Sequence, residues 1–70
     1  MITEEYCEDL QQIIFVGISC EDVLTKWEVD FLSEFKDRLE TYQEKIKISD
    51  KQQAVLDRIE KKLKDAGELE

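Results

Sequence analysis

The sequence contains no proline and no histidine, and it has two glycines and two cysteines among its 70 residues. Proline and glycine interrupt helices, so their scarcity favours helical structure. Without histidine the commonest general base is missing, and two cysteines alone cannot complete an ordinary zinc site. No glycine-rich loop suggests a phosphate or cofactor site. We therefore expect no enzyme, no cofactor and no metal centre.

Long apolar runs are also absent, and none approaches the roughly 20 residues needed to cross a bilayer. The acidic start, Met-Ile-Thr-Glu-Glu, lacks the basic segment of a signal peptide. We therefore expect a cytoplasmic protein without a membrane partner. In that reducing compartment Cys7 and Cys20 are expected to be free, small apolar residues, with a disulfide as the alternative.

Seventy residues allow one domain of marginal stability. The apolar content of 41% is enough for a core. Two capping boxes mark helix starts. Thr25 and Glu28 form the first, and Ser49 and Gln52 form the second, each pairing an N-cap side chain with a side chain three residues later. Each cap contributes about 1 kcal/mol, a useful fraction of the stability of so small a domain.

Apolar residues follow both boxes at steps of three and four, the spacing of one helix face. In the second helix they are Trp27, Phe31, Phe35, Leu39 and Tyr42, with Leu32 beside them; in the third they are Val55, Leu56, Ile59 and Leu63. An earlier face contains Tyr6, Leu10, Ile13 and Ile14, with Cys7 at its edge. The sequence predicts helices over about 4–16, 26–43 and 50–64. We expect an all-α three-helix bundle in which helices two and three form an antiparallel αα-hairpin with helix one packed across it.

Several single residues complete this prediction. Thr3 is expected to cap helix one, Gly17 to stop it, and Gly67 to close helix three. In the connector 18–24, Ser19 with Asp22 is a candidate cap for one extra turn. The final Leu69-Glu70 resembles the residue pair that cloning leaves before an affinity tag, so it is kept out of the functional interpretation.

The aromatic residues are expected mainly in the core. Trp27 is predicted to be a core anchor or a plug at the end of the bundle, with an exposed binding aromatic as the alternative. Phe31 and Phe35 are expected to be buried, whereas Tyr6 and Tyr42 are expected at the core edge with their hydroxyls in water. Phe15 and Val16 lie off the strict stripe, which suggests burial on more than one side. Ile46 and Ile48 are expected to tuck under the turn that joins helices two and three.

The net charge of −8 is unevenly distributed. Residues 1–24 contain six acidic and no basic residues, and residues 25–44 have a net charge of −3. Residues 45–64 contain seven basic and three acidic residues, a net charge of +4. The last six residues have a net charge of −3. Such blocks indicate surfaces of opposite sign.

The two helix openings also resemble a known family. The pattern Leu24-Thr25-x-Trp27-Glu28, followed by Ser49-x-Lys51-Gln52, is similar to a short helical module of phage and prophage proteins that is often attached to enzymes of DNA replication, recombination or repair. The resemblance covers about 40 residues and excludes residues 1–23. It implies association with DNA-processing machinery, and it brings no catalytic residue. Because the 70 residues contain the module without such an enzyme, we expect no enzymatic activity from the resemblance.

Two groups of charged residues are candidate binding sites. Lys51, Gln52, Arg58 and Lys62 of helix three are placed to contact a partner, including phosphates or base edges at the helix start. The alternative is a solvated face supported by the pairs Asp57–Lys61 and Glu60–Lys64. The second group is acidic and consists of Glu4, Glu5, Glu8 and Asp9. Three interpretations are open for it: an ordinary solvated helix face, a contact with the basic helix within the chain or across a dimer, and a binding site for a basic partner.

These observations leave two functional hypotheses. The first is a phage- or prophage-type binding protein that assists DNA processing through protein–protein contacts. The second is an acidic DNA mimic that inhibits a nucleic-acid-binding protein of the host. Direct nucleic-acid binding has little support from the net charge of −8, since phosphate contacts supply most non-specific affinity. A homodimer remains open, with apolar contacts expected from Phe15, Val16, Ile18, Ile46 and Ile48.

Overall fold

The computed structural model describes residues 2–69 and contains three α-helices. They are α1 (Glu4–Ser19), α2 (Lys26–Tyr42) and α3 (Asp50–Asp65), and a 3₁₀ turn, Gln43–Lys45, follows α2. The described range contains no strand, and none of its helices is long and apolar enough to cross a membrane. Residue 70, half of the Leu69-Glu70 pair, lies outside the described residues. The expected all-α class is confirmed.

The three helices form an up-down-up bundle. At one end the N–H of Ile2 donates to the carbonyl oxygen of Glu44 at 2.9 Å, which places the start of α1 beside the end of α2. On α2, Glu28 of the first turn binds Lys62, which lies near the end of α3. Consecutive helices are therefore antiparallel, and α1 packs against both of the others. This is the expected αα-hairpin with helix one packed across it.

Side chains cap each helix start as expected. The hydroxyl of Thr3 accepts from the N–H of Tyr6 at 3.0 Å, and both capping boxes form, one between Thr25 and Glu28 and one between Ser49 and Gln52. At the end of α3, Gly67 has a φ of +76°, the left-handed conformation that glycine adopts without strain. Its N–H donates to Lys64, and the next N–H donates to Leu63, the paired bonds of a Schellman motif.

The end of α1 differs from the expectation. Gly17 does not stop the helix, which continues to Ser19. Gly17 is buried in the contact between α1 and α2. A Cβ at this position would collide with Cδ1 of Leu32 and press on Cδ1 of Leu24, so only a glycine lets α1 approach α2 this closely. The Ser19 hydroxyl donates back to the carbonyl of Phe15 and does not cap an extra turn.

The core is formed by thirteen buried apolar residues. They are Cys7, Leu10, Ile13 and Ile14 of α1, Leu32, Phe35 and Leu39 of α2, Leu56, Ile59 and Leu63 of α3, and Cys20, Leu24 and Ile46 of the connections. Ile46 is buried beneath the connection between α2 and α3, as predicted, and Ile48 is half-buried. The prediction for Phe15 was wrong: its side chain is 73% exposed, and Val16 is only half-buried.

The inward face of α2 is also rotated relative to the prediction. Its buried residues are Glu28, Leu32, Phe35 and Leu39. Trp27 is 58% exposed and Tyr42 is 54% exposed, so the expectation of Trp27 as a core anchor was wrong. A carboxylate, and not the indole, occupies the inward position in the first turn of α2.

Candidate protein-binding surface

Glu28 is the one charged residue that is buried among residues 2–69, with 1% of its surface exposed. Its Oε1 accepts the N–H of Thr25 at 2.9 Å, which completes the capping box. The same oxygen accepts from Nζ of Lys62 at 2.8 Å, and Oε2 accepts from Nε of Arg58 at 3.3 Å. Every buried polar side-chain atom in residues 2–69 has a hydrogen-bond partner. This carboxylate therefore satisfies its lone pairs while it joins α2 to α3.

Two opposing effects set the pKa of Glu28. Burial raises the pKa, because removal from water disfavours the charged form. The hydrogen bonds from Lys62 and Thr25, together with the charge of Lys62, outweigh burial and hold the pKa of Glu28 below its ordinary value. The carboxylate is therefore ionised at neutral pH.

Trp27 lies one residue earlier and points about 100° away around the helix. Its ring stacks on Phe31 with the centroids 5.7 Å apart, and Phe31 stacks on buried Phe35 at 5.8 Å. The guanidinium of Arg58 lies 5.9 Å from the Trp27 centroid, within reach of a cation–π contact. The aromatic residues thus form a row that begins in solvent and ends in the core.

The predicted basic residues share one side of α3. Lys51, Val55, Arg58 and Lys62 are separated by four, three and four residues, the spacing of one helix face. The side chains of Arg58 and Lys62 are 54% and 38% exposed, and Lys51 is exposed. We name this surface the α2–α3 face. It consists of Trp27, Phe31, Lys51, Val55, Arg58 and Lys62.

The structure assigns local roles to several of the sequence candidates. Gln52 is engaged in its capping box, where its Oε1 accepts the N–H of Ser49 at 3.0 Å. Arg58 and Lys62 bind Glu28, so they are only partly available to a partner. The expected Glu60–Lys64 pair forms at 3.9 Å. The expected Asp57–Lys61 pair does not form, because Lys61 binds Asp65 at 3.2 Å instead.

The acidic candidates lie on α1. Glu4, Glu5, Glu8 and Asp9 are all exposed, and none of the ion pairs found between residues 2 and 69 involves them. Among the described residues they form no ion pair with the basic residues of α3. Their charges face solvent.

Sequence reasoning missed the contacts between Glu28 and α3, although one pattern indicates them. Glu28 precedes Leu32, Phe35 and Leu39 by four, seven and eleven residues, so it shares the face that these three residues bury. An acid on a core face needs a cation from a neighbouring element. The basic stripe of α3 supplies two.

The two cysteines are free and buried, and they lie at opposite ends of α1. Burial, followed by the nearby carboxylates of Glu44, Glu8 and Glu4, raises the pKa of the Cys7 thiol. Burial and Glu68 raise the pKa of Cys20 in the same direction. The thiol form is therefore favoured at both positions, and their separation excludes a disulfide between them within the bundle.

Comparisons with protein-family models, with curated proteins and with solved structures found no match to this chain.

Proposed function

We propose that this chain is a small protein-binding module that acts as an accessory in DNA processing of the phage or prophage type, with the α2–α3 face as its working surface. The observation that carries protein binding is the half-exposed Trp27 beneath Arg58. Tryptophan and arginine are the residues that most often dominate the energy of protein interfaces. The DNA-processing role is supported by the resemblance of residues 24–63 to the phage module.

The charges of the face favour a partner of particular chemistry. Arg58 lies over the Trp27 ring, and Lys51 and Lys62 lie on the same side of α3 as Arg58. The carboxylate of Glu28 neutralises part of this positive charge. An acidic rim around an apolar contact on the partner complements this arrangement. A net charge of −8 repels nucleic acid at longer range, so protein contact is the primary interaction that we propose.

The test uses variants that leave the Glu28 contacts intact. Reversing the charge of Arg58 or Lys62 would disturb packing as well as binding. Lys51 is exposed and Trp27 is 58% exposed, and neither side chain hydrogen-bonds to Glu28, so Trp27→Ala and Lys51→Glu are the variants used. Lys61→Glu is the matched control, since Lys61 is exposed on another side of α3 and the charge change is the same as in Lys51→Glu.

Each variant is used as bait in a bacterial lysate with and without nuclease treatment, and retained proteins are identified by mass spectrometry. The proposal expects the wild-type protein and Lys61→Glu to retain the same DNA-processing proteins, and Trp27→Ala and Lys51→Glu to lose them. Retention that is equal in all four samples would show that the α2–α3 face is not the working surface. Loss of every partner on nuclease treatment would point to nucleic acid as the bridge.

The acidic DNA-mimic function is the alternative, and a separate observation favours it. The first 24 residues contain no base, and the four carboxylates of α1 named above are solvent-exposed without an ion pair among the described residues. This function predicts that a basic nucleic-acid-binding protein is retained and that added DNA competes it away. Glu5→Gln with Asp9→Gln would weaken that retention, whereas Lys51→Glu would not.

A further inference from the structure

A groove between α1 and α2 lies away from the α2–α3 face. Its apolar lining comes from Ile14, Phe15 and Ile18 of α1 and Leu39 of α2, beside polar and charged residues of both helices. The volume of this open groove is about 720 Å³. Lys36 of α2 also lines it, nine residues after Trp27. Nine residues are two and a half helical turns, so the groove lies on the opposite flank of α2 from Trp27.

Phe15 gives this groove an unusual surface. It is the most exposed large apolar side chain in residues 2–69, at 73%, and it stands beside half-buried Ile18 and buried Ile14. A lone exposed apolar residue is common on protein surfaces. An exposed phenylalanine that continues into an apolar groove is typical of a docking surface.

The charges around the groove are mainly negative. Glu8 and Glu40 line it, and Lys36, its one basic lining residue, lies 3.9 Å from Glu40. The charged lining residues are therefore two acids and one base.

This charge pattern decides between the candidate occupants. A second copy would bring its own net charge of −8, and the repulsion between two such chains disfavours their association. A helix with lysine or arginine on both sides of an apolar stripe would pair with Glu8 and Glu40 and bury Phe15. The groove extends from Glu8 to Ile18, about 15 Å along α1, which matches roughly three turns of such a helix.

We propose that the α1–α2 groove is a second docking surface, and that its occupant is a basic amphipathic helix of a partner protein. The module then holds two partners at once, an acidic one on the α2–α3 face and a basic one in the groove. This inference goes beyond the proposed function and does not depend on it, because the two surfaces share no residue.

The probe is an 18-residue leucine–lysine peptide with helical periodicity, compared with a leucine–glutamate peptide of the same pattern and a scrambled leucine–lysine peptide. Binding to the full chain is measured by titration calorimetry and by backbone amide shifts. The leucine–lysine helix is expected to bind saturably at one site and to shift amides around Ile14, Phe15 and Leu39. Phe15→Ala is expected to weaken binding about tenfold and Glu8→Gln several-fold, whereas Trp27→Ala leaves it unchanged.

Several results would overturn the groove proposal. Equal binding of the scrambled peptide would indicate charge attraction alone, and equal binding of the leucine–glutamate peptide would remove the charge argument. Sedimentation that shows a dimer dissociated by Phe15→Ala would identify a second copy as the occupant. The proposal for the α2–α3 face is tested separately. It fails if Trp27→Ala retains the same lysate proteins as the wild-type protein, so the two proposals fail in different experiments.

Discussion

Nζ of Lys62 lies 2.8 Å from Oε1 of Glu28, and this contact joins the end of α3 to the first turn of α2. The same oxygen accepts the N–H of Thr25, so one carboxylate both caps a helix and binds the neighbouring helix. Arg58 completes the arrangement and also covers Trp27. Fold stability and the presentation of the α2–α3 face therefore depend on the same few side chains.

Removal of the Glu28 side chain is expected to destabilise the bundle strongly. Glu28→Ala keeps Thr25 as the N-cap but loses the hydrogen bond from the Thr25 N–H, about 1 kcal/mol, and charged hydrogen bonds of about 1.5–3 kcal/mol. The free energy of unfolding, measured in urea, should fall by about 2–4 kcal/mol in total. Glu34→Ala on the exposed side of α2 is the control and should change stability by less than about 0.5 kcal/mol. Equal effects of the two substitutions would show that the buried contacts contribute little.

Stability should depend on pH through Glu28. The pKa of this group is lowered in the folded state, whereas an unfolded glutamate titrates at about 4.3. Its stabilising contribution is therefore complete above that pH and is lost as the pH falls through the folded-state pKa. Glu28→Gln keeps the cap and removes the titration.

The free energies of unfolding of wild-type protein and Glu28→Gln are compared by urea titration at several pH values. We expect their difference to be constant near neutral pH and to shrink below about pH 4.3. A difference that stays constant down to pH 3, or grows, would be inconsistent with a lowered pKa.

Trp27 should contribute less to stability than Phe35, although it is the larger residue. Phe35 is 2% exposed, and Phe35→Ala is expected to cost about 3–5 kcal/mol. Trp27→Ala loses one stacked pair and a partly solvated cation–π contact, about 1 kcal/mol. Helical circular dichroism during thermal unfolding measures both variants, since one of them lacks the fluorophore. The reverse order would indicate that Trp27 is a core residue.

Local chemistry explains why most of the fold is predictable from the sequence. A capping box is a bond between residues three positions apart, so Thr25, Glu28, Ser49 and Gln52 disclose two helix starts without knowledge of the rest of the chain. The apolar spacing then gives the number of helices and their pairing. The predicted helix ends lie within one residue of the observed ends, except at the end of α1. There Gly17 does not mark a turn, because packing against Leu32 accounts for the glycine.

The orientation of α2 was not predictable in the same way. Trp27, Phe31 and Phe35 form the most apolar stripe on α2. The face that is buried is nevertheless the one that contains Glu28, Leu32, Phe35 and Leu39. The contacts that make this burial favourable come from Arg58 and Lys62, 30 and 34 residues later in the chain. Hydrophobic periodicity contains no information about such partners, so the basic residues of α3 were expected in solvent.

Gly17 provides a test of close packing between α1 and α2. Gly17→Ala gains helix propensity of up to about 1 kcal/mol but forces a methyl group against Leu32, at a cost of about 1–3 kcal/mol. We expect net destabilisation. Because Leu32→Ala creates room, the double variant should be more stable than the sum of the two single effects by at least about 0.5 kcal/mol. Additive effects, or a more stable Gly17→Ala, would contradict the collision.

The carboxylate of Glu28 joins α2 to Lys62 and Arg58 of α3, and the same Arg58 lies beside Trp27. The most direct measurement is the pKa of Glu28, from the pH dependence of its side-chain carboxyl ¹³C shift in the wild-type protein and in Lys62→Met. In the wild-type protein the pKa should lie below the ordinary value of about 4.3, and it should rise in Lys62→Met as burial becomes the stronger effect. A wild-type pKa at or above the ordinary value, unchanged by Lys62→Met, would contradict the proposed arrangement.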